Sequence, residues 1–190
     1  MGTVEQTLFI SIDEYLQGEQ QSAIRHEYLA GQVYAMAVAG ENHNRVTVNL
    51  AFHLRSAARG KTCGVFISDM KLRIEQNNVF YYPDVTLACD PDDSAPFYKQ
   101  SPCLIVEVSS PATLATDRRE KLIAYLALPA LRYYLLVSQE QRQVEYYNRN
   151  AQNQWCYALL AGNESLDVVC ADVHAHLSLD DIYEDVSMEP

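Results

Sequence analysis

Cys103-Leu104-Ile105-Val106-Glu107-Val108, then Asp117-Arg118-Arg119-Glu120-Lys121-Leu122-Ile123-Ala124-Tyr125-Leu126-Ala127-Leu128, then Tyr133-Tyr134-Leu135-Leu136-Val137, is the stretch that decides the fold. The first run is almost wholly apolar, as a central strand should be, and Ser110-Pro111 ends it. The middle run puts Lys121, Ala124, Tyr125 and Leu128 on one helical stripe and stops before Pro129. Asp117 and Glu120 fit its N-cap and capping-box positions. A third apolar run follows, so the order strand, helix, strand predicts a right-handed parallel crossover.

Working outward, Val65 to Glu75 alternates as one strand, with Asp69, Lys71 and Arg73 on a solvated face. Val79 to Cys89 is a second strand, interrupted by Pro83. Upstream, Ser11 and Glu14 form a capping box for a short helix, and Arg25 to Met36 reads as a hairpin bent at Ala30-Gly31. Asn42 to Arg59 carries Val46, Leu50, Leu54 and Ala57 at helical spacing, with Gly60 as its stop. Downstream, Val144 to Asn148, Trp155 to Leu160 and Leu166 to Val169 read as a β-meander, and Leu179 to Val186 as a terminal helix. The class is α/β: a central mixed β-sheet flanked by helices, with an additional C-terminal β-meander.

The 190 residues predict one domain, 1–190. No apolar run nears the roughly 20 residues of a bilayer span, and the start Met1 to Gln6 lacks a signal-peptide pattern. The five cysteines are scattered and form no CxxC pair, which reads as reduced thiols in a cytoplasmic protein. With 14 basic and 25 acidic residues the formal charge is -11, which excludes nucleic-acid binding by bulk attraction. A DNA partner then requires metal ions or a local basic groove.

Two carboxylates sit against the pattern. Glu107 is the one charge in an apolar strand, and an unpartnered buried carboxylate costs several kcal/mol. Asp84 directly follows Pro83. If their strands are neighbours, the two converge on a hard cation, since Mg²⁺ takes one or two carboxylates and keeps several waters. A helix after a parallel strand runs back along it, which brings Lys121 toward Glu107. The alternative for Lys121 is a surface pair with Asp117 at i,i+4.

Tyr82-Pro83-Asp84-Val85, Leu104 to Pro111 and Asp117 to Lys121 together resemble the Uma-type restriction endonuclease family. Glu27 to Met36, His43 and Ser68-Asp69-Met70-Lys71-Leu72 are similar to its N-terminal half. The resemblance runs from about Ser11 to about Arg149 and implies a restriction-endonuclease-like core over approximately 20–149, within the PD-(D/E)xK superfamily. It implies that Asp84 and Glu107 bind Mg²⁺ (or Mn²⁺), with the Val108 carbonyl as a further ligand. The lysine expected two residues after the second acid is Ser109 here, and Lys121 takes its place. Glu27 is the implied extra acid.

Those residue types suit phosphodiester hydrolysis: the metal activates water and relieves charge, and Lys121 assists. The expected partner is DNA, cut by a homodimer. A catalytically weak or inactive binding module is the alternative, and a nucleotide phosphoester in a small closed pocket a third reading. His43 reads as a capping or packing residue, and Lys71 is the fallback catalytic lysine. Cys170, His174 and His176 are a weak zinc candidate lacking a fourth ligand.

Overall fold

The computed structural model describes residues 9–110 and 114–188. The Met1 to Gln6 start and the strand-ending Pro111 lie outside them. Helix α1 (Ile12–Gln21) starts on the expected capping box of Ser11 and Glu14. Strands β1 (His26–Leu29) and β2 (Gln32–Ala35) form the expected hairpin. Its turn holds Ala30 at φ +48° and Gly31 at φ +99°, and Phe9 carbons lie 2.5 Å from where a Gly31 Cβ would stand. The positive φ favours glycine there, and any side chain would also have to displace the exposed Phe9 ring. Helix α2 covers Glu41–Ala57, with Val46, Leu50 and Leu54 fully buried on one stripe.

The strands that follow are β3 (Gly64–Ile67), β4 (Lys71–Ile74), β5 (Val79–Tyr81), β6 (Val85–Ala88), β7 (Tyr98–Lys99) and β8 (Pro102–Ser109). Val65 to Glu75 is thus two strands rather than one. The chain turns at Ser68, which takes φ +23°, and Met70 N–H closes the turn onto the Ile67 carbonyl. The partner strand breaks opposite, at Tyr82-Pro83-Asp84, and Ser68 N–H reaches the Asp84 carbonyl at 3.2 Å. The two strands bend together and pass from one sheet into another. β3 and β6 belong to a six-stranded sheet, and β4 and β5 to a five-stranded one.

Helix α3 (Leu114–Thr116), a π-helical turn (Asp117–Lys121) and α4 (Leu122–Leu126) lead to β9 (Tyr133–Ser138). β9 pairs parallel to β8, as the strand–helix–strand pattern predicts. The helix starts earlier than expected, so Asp117 is not its N-cap. It lies inside the π-helical turn and is buried. β10 (Gln143–Arg149) and β11 (Trp155–Ala161) extend the large sheet, whose order is β11-β10-β9-β8-β6-β3. Two strands of the expected meander therefore continue this sheet. The third, β12 (Ser165–Cys170), leaves it and pairs with β13 (Val173–Ser178) in a separate ribbon. The terminal helix α5 is only Leu179–Ile182, and Asp185 turns left-handed at φ +56°.

One face of the large sheet packs Val85, Leu104, Val106 and Val137 against α2 and the ribbon. The other packs Ile105, Tyr134 and Leu136 against Tyr125 and Leu128, with Leu72 and Tyr81 of the small sheet completing the layer. Each fully buried side chain of this kind contributes about 1.5–3 kcal/mol. Those layers hold β6, β8 and the π-helical turn in place around the acids.

The cysteines correct the reduced-thiol expectation. Cys63 is bonded to Cys89 and Cys103 to Cys170, leaving Cys156 free and exposed. Their partners lie 26 and 67 residues apart, a spacing that sequence alone could not pair. The second bond ties the ribbon to β8, and it consumes the thiol that the zinc candidate needed. His176 instead faces Asp167 at 2.7 Å. Among the described residues no helix is long and apolar enough to cross a membrane.

Candidate active site

β6 and β8 are antiparallel neighbours with Val85 opposite Val106, so the next step of the register sets Asp84 beside Glu107. Both acids are buried, 8% and 4% exposed. Pro83 has no N–H to give to a ladder, and the chain bends there, so Asp84 enters at the strand's edge. Its Oδ2 accepts the Val108 N–H at 2.7 Å. Its Oδ1 lies 3.2 Å from His43 Nε2.

Glu107 follows Ile105 on the face of β8 covered by the helix. Its Oε1 accepts from the Tyr125 hydroxyl at 2.6 Å and from Lys121 Nζ at 3.2 Å. Lys121 stands on the π-helical turn and is 7% exposed. The Lys121 ammonium also pairs with Glu27 at 2.9 Å and Asp117 at 3.5 Å, and lies 5.4 Å from the centre of the Tyr81 ring. The i,i+4 pair with Asp117 exists, but it is buried and shared, not a surface pair. Glu27 is half-buried on β1 and faces the same ammonium.

The bend before β6, with β1, β8 and the π-helical turn, thus brings Glu27, Asp84, Glu107 and Lys121 together. The π-helical turn adds one residue to the helical circuit. Asp117 and Lys121 are both buried on this turn, and π-helical turns are common at functional sites.

Burial, above all, pushes the Glu107 carboxyl up to about 8; Asp84 and Asp117 push the same way, while Lys121 and the Tyr125 hydroxyl oppose. Burial works against the Lys121 charge, yet Glu107, Glu27 and Asp117 hold it well above the usual lysine range. The centre is a fixed cation inside a ring of acids that repel one another.

His43 is not the cap of α2, and its partly buried ring packs against Asp84. The N-cap of α2 is Gly40, without any side-chain bond. Burial opposes the imidazolium, but Asp84, with Asp117 behind it, outweighs this and raises the His43 pKa. The signal in the sequence is spacing: His43 precedes Val46 by three and Leu50 by seven, on the inward stripe. Tyr125, four residues after Lys121 on its stripe, was read from the sequence only as a member of that stripe and not as a partner of Glu107.

Lys71 departs from expectation as well. It is buried, not on a solvated face, and its ammonium lies 5.3 Å from the centre of the Tyr82 ring. Burial pushes its pKa down, with Glu19 opposing. It makes no ion pair with Asp84 or Glu107 among the described residues. Val108 is buried on β8 beside Val137 of β9.

Among the described residues no three His, Cys, Asp or Glu side chains form a metal-ligating cluster. The donor set is two carboxylates on adjacent strands, one of them destabilised in its charged form by the other. That chemistry fits a hard divalent ion that keeps most of its waters.

Comparison with known proteins adds the following. Two uncharacterized proteins of Synechocystis sp. are similar to the chain. One, slr1290, is 35% identical over 160 residues, covering 84% of each chain. The other, sll1609, is 33% identical over 168 residues, covering 87% of this chain and 95% of that one. The fold is shared with the crystal structure of "a putative nuclease belonging to DUF820" from Anabaena variabilis, with a TM-score of 0.72 at 15% identity, over 92% of this chain and 97% of that one. Residues 12–179 match the family described as "Uma2: Putative restriction endonuclease". The chain belongs to the Uma2 family of restriction-endonuclease-like proteins.

Proposed function

We propose that the protein is a divalent-metal-dependent endonuclease that hydrolyses DNA phosphodiester bonds. The observation that carries this reading is the Lys121 ammonium, buried against Glu107 on the strand beside Asp84. Family membership and fold support a nuclease role. Asp84 and Glu107 would hold Mg²⁺ or Mn²⁺, with the Val108 carbonyl as a backbone ligand. When bound, the ion supplies Lewis acidity at the phosphate and lowers the pKa of water.

The chain's own groups do the rest. Lys121 presents a fixed positive charge toward the charge that grows on the phosphate, and it orients the attacking water. Tyr125 and Lys121 fix the Glu107 carboxylate, and Glu27 and Asp117 keep the ammonium protonated. Ser109 stands where the parent motif has lysine, and Lys121 supplies the amine from the helix instead.

Residues 1–190 act as one domain in this reading. A homodimer would supply the second site needed to cut both strands. A cytoplasmic location suits a DNA substrate, although the two disulfides weigh against a strongly reducing compartment. A nucleotide phosphoester would need a small closed pocket at the acids. Two cavities of about 230 and 530 Å³ lie elsewhere, lined by Arg73, Ile74 and Phe80 and by Glu41, Asn42 and Gln139.

The test is incubation with plasmid DNA and Mg²⁺ or Mn²⁺, alongside Asp84→Ala, Glu107→Ala and Lys121→Ala. Metal-dependent cleavage lost in all three supports the assignment. Cleavage that survives all three places the activity elsewhere. DNA binding without cleavage under either metal supports the binding-module alternative.

A further inference from the structure

Asp84 is gripped at both carboxylate oxygens, and only one grip comes from its own sheet. Val108 N–H, on the neighbouring strand β8, holds Oδ2 at 2.7 Å. His43 Nε2, from the first turn of α2, lies 3.2 Å from Oδ1. We propose that His43 is a positioning residue for the metal site, fixing the orientation of the Asp84 carboxylate from α2. The proposal rests on the metal-dependent reading above and names a residue that serves it.

Asp84 needs such a hold. It follows the Pro83 bend, where β5 has ended and β6 has not yet begun, and the Ser68 N–H on its carbonyl holds its backbone but not its carboxylate. Val108 N–H alone would leave Oδ1 free to swing. α2 is a rigid anchor for the second grip, because Val46, Leu50 and Leu54 are wholly buried along the stripe that His43 begins. The His43 backbone carbonyl is occupied separately, accepting from the Thr47 hydroxyl at 2.8 Å. The imidazole is a separate group, and its Nε2 is the side-chain atom that reaches Oδ1.

In this proposal His43 acts through Asp84, which its Nε2 faces at 3.2 Å, and not as a ligand. Carboxylate ligands are commonly oriented by hydrogen bonds from behind, and losing such a partner typically costs about 10–100-fold in metal affinity.

The experiment measures Mn²⁺ affinity of the full chain by calorimetry for wild type, His43→Ala, His43→Gln and Asp84→Asn, each checked for folding by circular dichroism. The amide nitrogen of Gln can reproduce the Nε2 donor without a ring. Asp84→Asn should abolish binding, His43→Ala should weaken it about 10–100-fold, and His43→Gln should recover most of the loss. If His43→Ala does not fold, the His43→Gln and wild-type pair carries the test, with near-equal affinities expected. Affinity unchanged in His43→Ala overturns the proposal while leaving the metal site standing. So does a His43→Gln variant as weak as His43→Ala. Electron spin-echo of bound Mn²⁺ should lack imidazole ¹⁴N coupling, and strong coupling would make His43 a ligand, overturning the positioning role. A wild type that binds no Mn²⁺ removes the metal-dependent reading, and the proposal with it.

Discussion

Lys121 Nζ and Glu107 Oε1 meet at 3.2 Å with both side chains almost fully buried, joining the first residue set of a parallel crossover to the helix that completes it. An ammonium in that position is shared with Glu27 and Asp117 as well. Removing it leaves three acids without their cation.

Lys121→Ala should therefore destabilise the metal-free protein by about 3–5 kcal/mol, the usual cost of breaking a buried ion pair from one side. Urea unfolding in EDTA measures this. A loss under about 1 kcal/mol would mean that the network is solvated and weak.

Glu107 carries a folded-state pKa raised to about 8, mainly by burial. A group raised on folding contributes stability that is complete below its unfolded pKa and is lost as pH rises through the folded one. Stability without metal should therefore fall between about pH 4.5 and 8 on this account. Glu107→Gln should flatten that slope and raise Tm at pH 8 by about 2–4 °C, equivalent to roughly 1 kcal/mol at this chain length. Parallel thermal melts in EDTA from pH 5 to 9 decide it, and a variant with the wild-type slope would contradict the assignment.

Tyr125 donates to Glu107 Oε1 from inside the core. Tyr125→Phe removes one bond to a buried acid and should cost about 1–3 kcal/mol. It should also push the Glu107 titration further up, because the hydroxyl now favours the carboxylate. Chemical denaturation and carboxyl NMR titration read the two effects separately.

Alkylation of the unfolded, unreduced chain should modify one cysteine, Cys156, and five after reduction. Reduction should lower stability by about 2–4 kcal/mol per disulfide, since the bonds close loops of 26 and 67 residues. Five reactive thiols before reduction would restore the reduced reading of the sequence.

The crossover from β8 to β9 was legible because its apolar strands and helical stripe are local patterns that follow periodicities of two and 3.6. Glu107 stood out as a charge inside such a pattern, while the direction of the returning helix left Lys121 open between the site and a surface pair with Asp117, and only the family resemblance favoured the site. The split of Val65 to Glu75 was hidden, since alternation continues through the Ser68 turn and cannot report a change of sheet. The π-helical turn was hidden too, as nothing in Asp117 to Lys121 marks one extra residue per turn. The helical spacing of His43 with Val46 and Leu50 marks it as inward-facing, but its meeting with Asp84, like the cysteine pairs, depends on which distant elements touch and is set by tertiary packing.

The most direct test of the central claim is conversion of supercoiled plasmid to nicked or linear DNA by wild type and Glu107→Gln, each with Mg²⁺, Mn²⁺ or EDTA. The account predicts cleavage by wild type only with a divalent ion, and a loss of at least about 100-fold in Glu107→Gln, equivalent to roughly 2.7 kcal/mol of transition-state stabilisation. Equal cleavage by both proteins, or cleavage by wild type that persists in EDTA, would contradict it.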